Sequence, residues 1–234
     1  MTNRFHKILN RMSLFSALLA VGLLLCWHTF MQIACANIFL NGIIIGTTLF
    51  GIGLCFVQMF HLLPEYCWAR AYFRGVRNAP LPPALLRPMA LVLRDGGRVP
   101  VATMSAMLDM VLLRMEESRE SVRYITNTLV FLGLLGTFWG LLVTVGGFAD
   151  LIGGINFEDD AILAAMQTGL SRPLSGMATA FTSSLMGLGG SLIVGFLSLQ
   201  LQIAQSSIYQ DVEDYLASRA RVSGDDAATD AVAQ

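Results

Sequence analysis

LGLLGTFWGLLVTVGG, Leu132 to Gly147, is almost wholly apolar, yet five of its sixteen residues are Gly and two are Thr. A helix that only has to dissolve in lipid needs neither. In water each Gly weakens a helix by about 1 kcal/mol relative to Ala. Within a membrane, small residues let helix backbones approach closely, and hydroxyls can bond between helices. The stretch therefore reads as a spanning helix with a special face, and the rest of the chain can be read outward from it.

The surrounding composition agrees. Of 234 residues, 55% are hydrophobic and only 13% charged, with a mean hydropathy of +0.63. That is too apolar for an ordinary soluble domain, whose charged share is about 25%. The net charge of −1 gives no bulk attraction for nucleic acid. Cys26, Cys35, Cys55 and Cys67 form no CxxC pair and read as small membrane hydrophobes, not a zinc site or disulfide framework. No cofactor is expected.

Four segments reach the roughly 20 apolar residues that a spanning helix requires: 12–35, 38–62, 127–149 and 176–199, none containing Asp, Glu, Lys or Arg. The fold class expected is an all-α membrane protein with four transmembrane helices. The first two spans form a hairpin (12–62) turning near Asn37. The first is too long for a signal h-region and is read as retained.

Lys and Arg are distributed asymmetrically. The N-terminus (1–11) carries Arg4, Lys7 and Arg11; residues 63–126 carry nine Arg; the loop 150–175 carries only Arg172, against Asp150, Glu158, Asp159 and Asp160. The positive-inside rule places both termini and the 63–126 helical segment in the cytoplasm. The Arg-rich face also suits lipid headgroups.

Within 63–126, Pro80, Pro82, Pro83 and Pro88 punctuate the first half, and Gly96-Gly97 ends a short helix expected near 84–94. From Met104 through Leu108, Val111, Met115, Val122 and Ile125, apolar residues recur at helical steps with a gap at Ser118. One continuous helix over about 103–149 is predicted, with Thr103 as its N-cap. The fourth span should run on as a helical extension within 200–221, through Leu201, Ile208, Val212 and Tyr215, with Gln200, Gln202, Gln205 and Gln210 around that stripe. These are the two long helices expected to protrude into the cytoplasm. A short outer helix is expected within 157–171, Pro173 in the first turn of the fourth helix, and disorder in the acidic tail 222–234.

At 100° per residue, Thr126, Gly133, Thr137, Gly140, Thr144 and Gly147 share one face of the third span, opposite Leu132, Leu135, Trp139 and Leu142. On the fourth, Gly176, Ala180, Ser184, Gly187, Ser191, Gly195 and Ser198 share a face, with Leu192, Val194, Phe196 and Leu197 elsewhere. The second span has Gly42, Gly46 and Gly53, enough for packing. Two readings of the small-residue seam stand: helix packing alone, or two hydroxyl faces lining a polar path. Ion-coupled membrane machines hold an ionisable residue at membrane depth. Here only His28 and His61 come near it, and both suit packing or the membrane edge. A proton conductor of this kind would need a carboxylate from another chain.

LVFLGLLGTFWGLLVTVGGF (129–148) and, across the outer loop, GLSRPLSGMATAFTSSLMGLGGSLIVGF (169–196) resemble the MotA/TolQ/ExbB proton-channel family. The GLLGT-x-WG run and the SLMGL pattern at Ser184 carry the likeness, which covers about residues 100–218. The resemblance implies a homopentamer around a single-pass partner that carries an intramembrane Asp and a periplasmic domain. It implies an inner-membrane complex in which proton flow, with Na+ as the other candidate ion, does work across the envelope, as in motors and protein transport. The ion-pathway residues expected are Thr137, Ser184 and Thr144, the first two being the family's channel hydroxyls that the resemblance implies. The packing seam is Gly133, Gly140, Gly147, Ala180, Gly187 and Ser191. Four spans resemble MotA, but the cytoplasmic segment is shorter and lacks a recognisable rotor-binding charge pair.

Enzyme chemistry is not expected. GLLGTFWG lacks the Lys-Ser/Thr ending of a phosphate loop, and no Ser/His/Asp set converges. A non-conducting tetraspan scaffold is the principal alternative. A secondary transporter would be expected to show internal repeats, and none is found.

Overall fold

The computed structural model describes residues 2–25, 28, 31, 37–73, 99–154 and 169–221. Their architecture is all-helical apart from one two-residue strand pairing. Helix α1 is Thr2–Leu25, α2 Ile38–Phe73, α3 Val101–Gly154 and α4 Ser171–Arg219. Strand β1 (Val99–Pro100) pairs in parallel with β2 (Ala220–Arg221). Three stretches are long and apolar enough to cross a membrane: Ile38–Ala69, Ala102–Gly153 and Ser171–Ala217.

The boundaries refine the sequence reading. Helix α1 already begins at Thr2, so the cationic N-terminus is helical; residues 26–27, 29–30 and 32–35 of the expected first span lie outside the described residues. Asn37 ends the turn as a cap. Its Oδ1 accepts from the Leu40 N–H at 3.4 Å, and its carbonyl accepts from the Asn41 N–H at 3.0 Å, meeting orphan groups of the first turn.

Helix α2 does not stop at 62 but passes through Pro64 to Phe73. Proline removes one helical hydrogen bond, and the buried stripe of Leu62, Tyr66 and Ala69 holds the helix on both sides of it.

Helix α3 is longer than expected, 54 residues where a bilayer needs about 20. Thr103 is not its N-cap. The pairing of Val99 with Ala220 and of Pro100 with Arg221 holds the chain extended up to Pro100, and the helix starts at the next residue. Pro173 does sit in the first turn of α4, where the Leu174 N–H reaches the Leu170 carbonyl at 3.2 Å. The helix expected near 84–94, residues 157–168 of the one expected within 157–171, and the tail 222–234 lie outside the described residues, as do Cys26 and Cys35.

The chain forms two compact units. One comprises Met1–Ile8, Cys55–Ser121 and Ser198–Gln234. Its core joins Met59 and Trp68 of α2, Leu108, Val111 and Met115 of α3, and Leu201, Ile208, Val212 and Leu216 of α4. Tyr72 stacks on Trp68 (4.9 Å) and meets Tyr215 edge-on (6.1 Å). The gap at Ser118 has a cause: its carbonyl accepts a hydrogen bond from Gln58 Nε2 at 3.1 Å, so a polar contact takes the place of an apolar one. Gln200 and Gln205, which stand around the apolar stripe of α4, are buried, at 6% and 3% exposed. Arg119 Nε donates to Gln205 Oε1 at 2.8 Å, which satisfies that buried oxygen.

The other unit comprises Leu9–Leu54 and Val122–Leu197. Here α3 and α4 run antiparallel along their small faces, α2 lies against both, and α1 meets α4 where the Phe15 and Phe196 rings stand 4.0 Å apart. Helix α4 buries two faces at once. Its small residues meet α3, while Val194, 0% exposed, packs where a Cβ on Gly51 would come within 2.9 Å of it. Val194 and Leu197 are therefore core residues. Gly51, not Gly42, Gly46 or Gly53, is the close-approach glycine of α2: those three have open space beside them.

Candidate ion pathway and helix seam

The seam between α3 and α4 is built by steric exclusion. A Cβ on Gly133 would stand 3.2 Å from the Gly187 Cα, one on Gly140 would stand 2.5 Å from the Ala180 nitrogen, and one on Gly147 would stand 2.8 Å from the Pro173 ring. At Gly140 the close approach is to backbone and leaves no room for a Cβ, at Gly147 it is to the Pro173 ring and nitrogen, and at Gly133 the fit is tight. Gly133, Gly140, Gly147, Ala180, Gly187 and Ser191 are all buried. The six seam residues named from the sequence thus lie on buried faces of α3 and α4.

Thr144 is buried, 6% exposed. Its single hydroxyl proton is shared between Gly140 O at 2.9 Å and Pro173 O at 3.2 Å. It ties the top of α3 to the first turn of α4, where Pro173 opens the helical bonding pattern. Both contacts are to carbonyls, so the group is committed to holding the helices together. Ser191 Oγ donates to Leu188 O at 2.8 Å within its own helix.

Thr137 and Ser184 are placed differently. Both are only half-buried. The pairs Gly133–Gly187 and Gly140–Ala180 fix the antiparallel register, and that register sets Thr137 level with Ser183 and Ser184. On α3, α2 lies to the side of Gly136, whose Cβ would meet Leu40; Thr137 lies on the other side. On α4, Ser183 faces α2 and Ser184 is turned 100° from it. The two hydroxyl residues therefore stand level on one edge of the α3–α4 contact, away from α2. Thr137 Oγ1 donates to Leu134 O at 2.6 Å, which leaves its oxygen lone pairs as acceptors. Thr126, next to Gly195 (3.9 Å from an added Cβ), continues the same edge. The sequence reading had merged this edge with the buried seam.

A second polar contact was missed. Ser183 Oγ donates to Asn41 Oδ1 at 3.0 Å, and both residues are 0% exposed. Close by, a Cβ on Gly136 would run into Ser183 Cβ. A carboxamide in the apolar run IFLNGIIIG was the signal that could have found it.

The face opposite the seam is apolar and exposed: Leu135, Phe138, Trp139 and Leu142 on α3, and Phe181, Leu185 and Leu192 on α4. His28 and His61 are exposed too.

No family model, no curated protein and no solved structure matches this chain.

Proposed function

We propose that this chain is the channel-forming subunit of a proton-driven complex of the bacterial inner membrane. In this reading it spans four times with both termini in the cytoplasm. Copies of it form a homo-oligomer, a pentamer on the MotA/TolQ/ExbB resemblance, around a single-pass partner. The partner supplies the Asp that carries the proton, and the motion that follows does work across the envelope.

One observation carries the reading: Thr137 and Ser184 stand level and half-buried on the same edge of the α3–α4 pair. A purely packing role would bury them as it buries Thr144. An acidic group on a partner helix set against this edge would meet the Ser184 hydroxyl, able to donate to its charged form, and the Thr137 oxygen, whose lone pairs can accept from its protonated form or from ordered water beside it. Each proton crossing releases about 2.3 kcal/mol per 100 mV, enough over a few protons to drive a packed helix between two positions. The exposed apolar residues on the far faces suit lipid or another copy of the chain.

The test is to purify the chain from native membranes, identify what accompanies it, and measure voltage-driven proton uptake by the reconstituted complex. A single-pass protein with an Asp in its span is expected. Thr137→Ala and Ser184→Ala are expected to abolish uptake while the complex keeps its size. Full uptake in both variants overturns the reading.

A non-conducting scaffold is the second reading, favoured by the tight closure of the seam from Gly133 to Gly147. It requires that no acidic-span partner accompanies the chain and that both alanine variants behave as wild type.

A further inference from the structure

Asn41 stands inside the apolar run IFLNGIIIG and is 0% exposed, as is Ser183 of α4. The Ser183 hydroxyl donates to Asn41 Oδ1 at 3.0 Å. A buried carboxamide costs stability unless it is bonded, and a leucine in the same run would carry no such cost. What the pair holds in place is visible from its neighbours.

Three helices converge on Ser183. Helix α2 supplies Asn41, and α3 supplies Gly136, whose added Cβ would run into Ser183 Cβ and Leu40. Ser183 therefore sits in a notch between the two neighbouring helices. The rest of the α3–α4 contact is poor in side chains: Gly133 faces Gly187, and Gly140 faces Ala180. Such contacts fix spacing and register, but backbone against backbone offers little resistance to turning α4 about its own axis. Further along α4, Gly190 lies against Thr48 and Val194 against Gly51, about two and three turns from Ser183. At the level of Ser183 itself, the notch sets the rotation.

Ser184 is the next residue and is turned 100° from Ser183. It is half-buried, and among the described residues its hydroxyl has no hydrogen-bond partner. Of two adjacent serines, one is committed to α2 and the other is open on the edge it shares with Thr137. A rotation of α4 that frees Ser183 also swings Ser184. On a Cα radius of about 2.3 Å, a turn of about 30° carries the residue roughly 1 Å. A misplacement of about 1 Å can cost a reacting site ~100-fold.

We propose that Asn41 is a positioning residue for the Ser184 hydroxyl: acting through Ser183, it fixes the rotation of α4 that presents Ser184 beside Thr137. This role rests on the reading of Ser184 as a pathway hydroxyl, and it brings in α2, a helix to which that reading gives no part.

The test uses the full chain in native membranes. Ser184→Cys and, separately, Thr137→Cys place a thiol at each hydroxyl position. N-ethylmaleimide, small and uncharged, labels it, and peptide mass mapping separates it from the native cysteines. Adding Ser183→Ala, which removes the donor and adds no bulk to the notch, is expected to change the labelling rate at position 184 by at least about 10-fold and to leave that at position 137 unchanged. Asn41→Ala is expected to do the same. Proton uptake per assembled complex is expected to fall by at least about 10-fold in Ser183→Ala and Asn41→Ala, whereas Arg119→Ala, which costs stability elsewhere, keeps it. Unchanged labelling at position 184 with Ser183→Ala overturns the proposal, and that arm stands even if Asn41→Ala fails to assemble. Normal uptake in Ser183→Ala, where Ser184→Ala abolishes it, overturns it too. A changed label at position 184 together with full uptake in Thr137→Ala and Ser184→Ala would overturn the function proposed above and leave the placement of Ser184 by Asn41 intact.

Discussion

Gly140 and Ala180 meet backbone to backbone: a Cβ added to the glycine would stand 2.5 Å from the Ala180 nitrogen and 2.6 Å from its Cβ. Nothing at that contact is the far end of a flexible side chain, so the helices themselves would have to move. Gly140→Ala should therefore lower stability by about 1–3 kcal/mol, the usual cost of overpacking, and Gly140→Leu should prevent native assembly. Gly146 and Gly153 have nothing within 4 Å of an added Cβ, so Gly146→Ala and Gly153→Ala should be neutral or gain up to about 1 kcal/mol from helix propensity. Thermal unfolding of the four variants in detergent checks both halves. Equal losses at Gly140 and Gly146 would mean that the seam is not where α3 and α4 touch.

Asn41 and Ser183 share a hydrogen bond in a place with no solvent. Ser183→Ala should cost about 0.6–2 kcal/mol, the range measured for polar contacts between membrane helices. Asn41→Leu should cost more, because it leaves the buried Ser183 hydroxyl without its acceptor. A double variant that loses no more than Asn41→Leu alone would establish that the two residues act as one contact.

Three of the four expected spans, the two long helices and the small-residue seam were legible because each is written in apolar run length or periodicity. Leu108, Val111, Met115, Val122 and Ile125 repeat at helical steps and are all buried. What escaped was which helix each face meets. A 100° projection puts Thr137 and Thr144 on one face, yet only contact with a second helix separates the buried hydroxyl of Thr144 from the edge position of Thr137. Gly51 escaped for the same reason: four glycines of α2 look alike in sequence, and only the position of Val194 distinguishes one. Thr103 failed as a cap because the distant partner of Val99, Ala220, decides where α3 begins. The burial of Glu65 was hidden by Pro64, which reads as a helix end when α2 in fact continues.

Thr144 links α3 to α4 through the Pro173 carbonyl. Thr144→Val keeps the shape and removes the donor, so it should lower stability by about 1 kcal/mol. Thr144→Ser keeps the donor and should recover most of that loss. Proton uptake per folded complex should be unchanged in both, in contrast to Thr137→Ala and Ser184→Ala. Loss of uptake in Thr144→Val at normal assembly would show that the buried hydroxyl also belongs to the pathway.

Arg119 donates to Gln205 Oε1 at 2.8 Å and to Ser206 Oγ at 3.4 Å. The first bond serves an acceptor on a residue only 3% exposed, so Arg119→Ala should cost about 1.5–3 kcal/mol, the range for hydrogen bonds to charged groups. Arg172 and Asp150 form the opposite case. They pair across the α3 and α4 ends in contact with water, with side chains 65% and 63% exposed. An exposed pair contributes about 0–1 kcal/mol and weakens with salt. Arg172→Ala should therefore shift the unfolding midpoint little at low salt and not at all at high salt, whereas the Arg119→Ala loss should persist at both. Measuring the two variants side by side at two ionic strengths checks the contrast. A large, salt-resistant loss at Arg172 would mean that the pair is sequestered in the assembled protein by something that excludes water from the outer end of the seam.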